Sequence, residues 1–452
     1  MDLKETFRAG YHNLLRPEIL ELIPKSAKSM LDLGCGAGAL GAALKKRQEC
    51  WVDGIEINKE ASAAAIPLLD RVYVDNLNRF DPSFLNKKYD CIIAADILEH
   101  LVYPWSVLKK FSYSLSDDGI VVASIPNVSH PYIIAQLERG LFRYEQAGLL
   151  DFSHLRFFTP TTMFQLFCKA GLKIFNIIPY PSAENPIQYL IQACKPILQA
   201  EYPCATIVML TYNGWEMTER SLLSLQENTN LPYKLVIVDN GSSDSTIYNL
   251  RKDPTVFHIE NKRNLGFAAG CNIGLELVDT PYFVLVNNDV LFTEGWLEKL
   301  VHGVEKDKDY LAAGPVSNCV SGPQQLLFAK YNTTEEMEKF AAARPKDVAH
   351  PVTQLNRLAF FCVLFKTEAL EKVGFLNEIF FPGNFEDDDY CLRLQRAGYK
   401  LGMVNDCFIH HWGSQTFKLN SIDHKAAMET NRKAFFGLHY DELIAISKNK
   451  NR

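Results

Sequence analysis

Several carboxylates in this sequence stand where a short apolar run breaks off, the place at which an open α/β sheet holds its ligands. Tyr282 to Phe292 reads YFVLVNNDVLF. The apolar start suits a buried strand, so Asn287, Asn288 and Asp289 fall at its exposed end. Oxygen ligands there suit a hard divalent cation that completes its shell with substrate phosphates, although an Asn-Asn-Asp turn fits the same residues. KLVIVDNGSSDST, at 234–246, ends its strand on Asp239. That carboxylate can accept hydrogen bonds from a base or ribose, or simply close a Gly/Ser turn. Glu386, Asp387, Asp388 and Asp389 then follow one another at the start of a helix, where the dipole alone favours negative charge.

A second set of residues lies in the first half. LDLGCGAGALG places Asp32 ahead of Gly34, Gly36 and Gly38, which let the backbone turn tightly toward a ligand at the start of the helix that follows. Gly36, Gly38 and Gly41 also fit GxGxxG, with Glu56 20 residues after Gly36, as a dinucleotide unit requires. Against that reading, Asp32 would repel a pyrophosphate and suits the cationic amino-acid part of S-adenosylmethionine. Glu56 can accept from both hydroxyls of a ribose.

The elements that must position these groups are legible as short strands alternating with helices. Ser29–Leu33, 173–180 and Ala205–Thr211 read as strands, and 39–48 as the helix after the glycine loop. PSAENPIQYLIQACKPILQAEYP carries four prolines around one apolar helical stretch and reads as a linker. The expected domains are therefore 1–182 and 204–452, with 183–203 between them. NKRNLGFAAGCNIGLE, at 261–276, sets Asn264 and Gly266 ahead of a helix containing Gly270, Asn272 and Gly274. Each such glycine weakens a helix by roughly 1 kcal/mol, so their presence points to close approach by a ligand or another backbone.

Composition narrows the class. Of 452 residues, 47% are hydrophobic and 22% charged, which excludes disordered and fibrous chains. A net charge of -6 gives no electrostatic case for nucleic acid. Eleven cysteines without a CxxC pair suit reduced thiols and a cytoplasmic setting, and argue against structural zinc. The N-terminal stretch has no continuous apolar core of a signal peptide, and no apolar run is long enough to span a membrane. Peripheral contact with the inner face of a membrane stays open.

Taken together, LDLGCGAG, GIEIN at 54–58, VYVD at 72–75 and YDCIIAADILEHL at 89–101 resemble the class I SAM-dependent methyltransferases. The resemblance implies that Asp32, Gly34, Gly36 and Gly38 line the methionine end of S-adenosylmethionine, Glu56 the ribose, and Asp75 the adenine, with Asp96 closing the pocket. GLLDFSHLRFFT, at 148–159, is similar to the acceptor-side segment of methyltransferases of bacterial polysaccharide synthesis. Asp151, His154 and Arg156 would orient a sugar hydroxyl, and His100, His130 or His154 could take its proton.

In the second half, TYN, VDNGSSDST, NLGFAAGCNIG and LVNNDV resemble the inverting family 2 glycosyltransferases of GT-A fold, especially rhamnosyltransferase-like members. That implies a nucleotide-sugar site at Thr211, Asn213, Asp239, Asn264, Gly266, Asn287 and Asn288. Asn287 to Asp289 stands where the family has its DxD metal motif, with Asn287 replacing the first aspartate. Asp289 would then carry most of the binding of Mn²⁺ or Mg²⁺, completed by His411 or, one residue out of register, His410. FEDDDYCLRLQRAG resembles the family's ExD-containing helix, which makes Asp387 the base and Asp389 an anchor.

The implied fold is α/β throughout, a Rossmann-like methyltransferase domain followed by a GT-A domain. The implied function is bifunctional, sugar transfer from a nucleotide-sugar donor to a glycan, glycolipid or glycoprotein and O-methylation of a sugar. Two rivals stand beside it. In one the first half is a non-catalytic scaffold, and in the other it is a nicotinamide-dependent oxidoreductase.

Overall fold

The computed structural model describes residues 15–196, 203–344, 352–413 and 423–450. The chain divides into two compact units, Met1–Ile197 and Leu198–Arg452.

The first unit is built on seven strands: β1 (Ser29–Leu33), β2 (Trp51–Glu56), β3 (Arg71–Val74), β4 (Tyr89–Ala95), β5 (Leu115–Pro126), β6 (Lys173–Tyr180) and β7 (Gln188–Cys194). Their order across the sheet is β3-β2-β1-β4-β5-β7-β6. The first five run parallel, and β7 inserts antiparallel between β5 and β6. Met30 to Leu33 are all buried, as a strand covered on both faces requires. Strand order reverses between β1 and β4, so the turns leaving their carboxyl ends part and open a crevice there. The glycine loop 34–38 leaves β1, and a turn through Asp96 to His100 leaves β4.

β7 corrects the expected linker. Residues 188–194 pair along their whole length with both neighbours, from Pro126↔Gln188 to Ile120↔Cys194 on one side. A short apolar run has no periodicity that separates a helix from a buried strand, and this one is decided by its partners, β6 just before it and β5 some way back in the chain. The first unit therefore extends beyond residue 182, while 197–202 and the N-terminal residues 1–14 lie outside the described residues.

In the second unit β8 (Ala205–Thr211), β9 (Tyr233–Asp239), β10 (Phe257–Glu260) and β11 (Tyr282–Asn287) run parallel. With β13 (Tyr310–Val316), β14 (Val352–Leu355), β15 (Cys362–Lys366) and β16 (Lys400–Phe408) they form a sheet of order β10-β9-β8-β11-β15-β13-β16-β14. β12 (Val290–Leu291) and β17 (His410–His411) make a separate two-stranded ladder. Alternate residues of β8 face two cores. Ile207 and Met209 pack with Leu222, Leu225 and Leu300, whereas Val208 packs with Ala268, Leu275 and Leu394. Register then sets Thr211 beside Asp239, and Leu210 beside Asn287, so three parallel strands end together. Among the described residues no helix is long and apolar enough to cross a membrane.

The glycines of the helix Phe267–Leu275 answer to side chains of β8 rather than to a ligand or a backbone. A Cβ on Gly270 would lie 2.4 Å from Leu210 Cδ1, and one on Gly274 2.4 Å from Val208 Cγ1. Gly274→Ala should therefore destabilise the second unit by about 1–2 kcal/mol, overpacking outweighing the better helix former. Thermal denaturation checks this; a transition that rises or stays put would contradict it.

Candidate active sites

A cavity of about 550 Å³ opens at the carboxyl ends of β8 and β11, lined among others by Asn287, Asp289, Arg357, Glu386, Asp387 and His411. The β12–β17 ladder pairs Val290 with His411 and Leu291 with His410. Adjacent strand residues point to opposite sides. His411 Nε2 lies 3.2 Å from Asp289 Oδ1, whereas His410 Nδ1 meets the Tyr331 hydroxyl at 2.5 Å and its Nε2 is buried without a partner. Burial lowers His410 to a pKa of about 4. His411 Nδ1 donates to the Cys319 carbonyl at 2.7 Å, so its Nε2 presents a lone pair, and Asn287 Nδ2 faces that nitrogen at 3.5 Å. That lone pair and the carboxylate oxygen are placed so that a cation, or a proton on Nε2, would hold them together.

The start of the helix Glu386–Arg396 also lines the cavity, and the helix leaves Phe385, itself left-handed at φ 76°. Arg357 Nη2 donates to Asp387 Oδ2 at 2.6 Å, and its Nε lies 3.0 Å from Asp388 Oδ1. Asp387 Oδ1 accepts from the Asp388 backbone, which leaves each Asp387 oxygen one further lone pair. Burial and then Asp387 push Asp388 up to about 7, and the same two causes drive the buried Glu386 well above the carboxylate range. Asp389 points elsewhere. It accepts from Arg393 at 2.8 Å and from His439 Nε2 at 2.9 Å, and Arg396 donates to His439 Nδ1, so this carboxylate ties the helix to the later helix His424–Lys450. Asn431 secures the same contact by donating to the carbonyls of Gly383 and Asn384.

The expected donor-binding residues divide into two groups. Asn264, Gly266, Asn287, Asn288 and Thr211 line the cavity. Yet the Asn288 amide donates to Thr211 and Thr218 at 3.2 and 2.9 Å, so the side chains of Thr211 and Asn288 lock strand ends together. Asn264 Oδ1 accepts from Asn240, whose amide also reaches the Gly266 carbonyl. Asn213 and Asp239 lie outside the cavity lining and cinch the loop 241–243: Asp239 Oδ2 accepts from the Gly241 and Ser242 amides, and Asn213 Oδ1 from that of Ser243. Asp239 is fully buried, its Oδ1 has no partner, and burial pushes it up to about 6. Arg357 and Asn240 escaped the sequence reading. A lone arginine just before the apolar run that becomes β15 was the only signal for the first.

In the first unit Gly34, Gly36 and Gly38 all adopt positive φ, at 77°, 52° and 82°. A Cβ on Gly34 would meet Ile97 at 2.8 Å, so the loop packs against the turn after β4. Glu56 accepts from the Gly36 and Asn58 amides at 2.9 and 2.8 Å. Asp32 is buried beside it and pushed up to about 7, by burial and then by Glu56. No basic side chain among the described residues pairs with Asp32 or Glu56, so a cationic ligand fits this crevice. Asp75 is exposed and accepts from its neighbour's amide, while Asp96, at φ 48°, is held by Ser124 and an ion pair with Arg16.

The acceptor-side residues do not converge as expected. Asp151 closes a local turn by accepting from the backbone and hydroxyl of Ser153, and Arg156 donates twice to the Val102 carbonyl while lying over Trp105. Asp151 is thus held within its own turn, and Arg156 by a carbonyl 54 residues away in sequence. His130 caps the helix Pro131–Glu138 by accepting from the Tyr132 amide. His154 instead stacks edge-on to His100 at 4.9 Å, beside the buried Glu99. Burial lowers both imidazoles and raises Glu99 to about 8.

Residues 7–176 match the family model described as a methyltransferase domain, and 206–373 match glycosyl transferase family 2. The chain joins a methyltransferase domain to a family 2 glycosyltransferase domain. An uncharacterized glycosyltransferase of Haemophilus influenzae is 29% identical over 116 residues, covering 25% of this chain and 36% of the relative. The pre-mycofactocin glycosyltransferase of Mycobacterium tuberculosis is 24% identical over 280 residues, 60% of this chain and 54% of the relative. A ubiquinone biosynthesis O-methyltransferase of Neisseria meningitidis is 24% identical over 160 residues, 32% and 64% of the two chains. The chain thus spans from about a third to just under two thirds of these curated relatives.

Asp239 gives the glycosyltransferase domain a pH signature. Its raised value lets the folded state keep a proton that the unfolded chain releases, so its contribution is full below about pH 4 and is lost as pH rises through 6. Asp239→Asn should flatten that fall in the unfolding transition that Gly274→Ala also moves. An unchanged slope between pH 4 and 6 would contradict the assignment.

Proposed function

We propose that the chain is a bifunctional glycan-modifying enzyme. Its C-terminal domain transfers a sugar with inversion from a nucleotide-sugar donor, and its N-terminal domain methylates a sugar oxygen. The observation that carries the first reading is one cavity whose lining includes Asp289, His411 and Asp387. Asp289 and His411 fit a divalent metal, because His411 is fixed in the tautomer a ligand needs by its bond to the Cys319 carbonyl. An imidazole in the set favours Mn²⁺ over Mg²⁺. When bound, the metal supplies positive charge for the departing nucleoside diphosphate.

Asp387 takes the proton of the acceptor hydroxyl as that oxygen bonds to the anomeric carbon and the bond to the diphosphate breaks. Arg357 positions the carboxylate for this. The loop cinched by Asp239 and Asn213, with Asn264 and Gly266, forms the nucleotide side. For the N-terminal domain, the positive-φ glycine loop and the uncompensated Asp32 and Glu56 support S-adenosylmethionine, which supplies the methyl group when bound. A glycan or glycolipid of a bacterial surface is the acceptor class that both reactions share.

Glycosyl transfer by the purified chain, with a panel of nucleotide sugars and Mn²⁺, tests the base directly. Asp387→Asn should lower turnover by a factor of about 100 or more while donor binding is retained. Near-normal turnover would remove Asp387 from that role.

A further inference from the structure

We propose that Glu99, His100 and His154 form a binding site for one first-row divalent transition-metal cation within the methyltransferase domain. Glu99 and His100 end the turn that leaves β4, and His154 comes from the segment 148–159. The Leu155 and Arg156 amides donate to the Glu99 carbonyl at 2.8 and 3.0 Å, which fixes the two segments against each other.

The side chains then meet as electron-pair donors. His100 Nδ1 faces the Ser153 carbonyl at 3.2 Å, and His154 Nδ1 faces the Leu149 carbonyl at 3.3 Å. A carbonyl only accepts, so each Nδ1 carries the proton and each Nε2 is left with a lone pair. Glu99 is 1% exposed, and among the described residues neither carboxylate oxygen has a hydrogen-bond partner. One ligand atom from each of the three lies within 4.8 Å of the others. A proton shared between Glu99 and His154 does not resolve the cluster, because Oε1 and Nε2 are 4.0 Å apart, beyond a hydrogen bond. A cation with bonds of about 2.0–2.2 Å does so once the three ligands draw inward, by up to roughly 0.7 Å each.

The donor set chooses the metal. Two imidazoles with one carboxylate suit Zn²⁺, Mn²⁺ or Fe²⁺ better than Mg²⁺ or Ca²⁺, and the two carbonyls that hold the Nδ1 protons are the outer partners such ligands require. Three protein ligands leave a position open, as in catalytic rather than structural sites. The role at that position rests on the methyl-transfer reading. An acceptor hydroxyl bound there gives up its proton to solvent more readily, and its oxygen then bonds to the methyl carbon as the carbon–sulfur bond of the sulfonium breaks. This supplies an activation that Asp151 and Arg156, held by Ser153 and the Val102 carbonyl, do not.

Metal content separates the site from that role, because it is read without S-adenosylmethionine or acceptor. The chain carrying Asp289→Ala, which removes the glycosyltransferase pair, is stripped with chelator, dialysed against Zn²⁺ or Co²⁺, and assayed by mass spectrometry of the metal and by the Co²⁺ visible spectrum. It should retain a stoichiometric cation and show bands of imidazole-ligated Co²⁺. Adding Glu99→Gln or His154→Gln should weaken binding at least tenfold while the melting curve and S-adenosylmethionine binding are preserved. A chain that holds no cation in the Asp289→Ala background, or one whose cation is indifferent to both substitutions, would overturn the site.

Discussion

A carboxylate taken out of water must be protonated, paired with a base or bound to a cation. The ends of β1, β2, β4, β9 and β11 and the start of the helix Glu386–Arg396 place carboxylates in or near that position, and the molecule answers differently from one to the next. Arg16 pairs with Asp96, and Arg357 with Asp387 and Asp388, inside the protein. Asp239 keeps a raised affinity for its proton. Asp32 with Glu56, Asp289 with His411, and Glu99 with two imidazoles have no lysine or arginine partner among the described residues. Their arrangement makes sense as three places for positive charge that arrives with a ligand.

The scaffold exists to hold those groups still. Parallel strands buried on both faces bring their carboxyl ends to one edge, and small residues let the covering helices sit low: Gly274 against Val208 and Gly270 against Leu210. Networks of amides then fix the loops. Asn240 clamps the 264–266 turn, Asn288 joins Thr211 to Thr218, and Asp389 with His439 holds the C-terminal helix over the carboxylate helix. None of these contacts is chemistry in itself, but each sets a reacting group to within a fraction of an ångström.

What could be read from the sequence was local. Ser29–Leu33, Lys173–Tyr180 and Ala205–Thr211 have the expected bounds because each is an apolar run closed by turn residues. β7 was hidden because its strand character comes from β5 and β6 rather than from its own pattern. Arg357 meets Asp387 across 30 residues, and His154 meets Glu99 only once the 148–159 segment has folded back. Asp151 and Arg156 show the reverse. Their types suggested a shared ligand, yet Ser153 and the Val102 carbonyl, both local to the fold, engage them first. Between adjacent His410 and His411 the sequence favoured His411, and the ladder sets that residue beside Asp289 and turns His410 onto Tyr331.

In the function proposed above, both halves transfer a group to the same class of acceptor. Mass spectrometry of a glycan incubated with the chain, nucleotide sugars and Mn²⁺, with and without S-adenosylmethionine, tests it most directly. The expected result is a sugar increment that needs the metal and a further methyl increment that appears only with S-adenosylmethionine. A sugar increment that never gains a methyl mass, across acceptors before and after glycosylation, would contradict it and leave the first domain a scaffold.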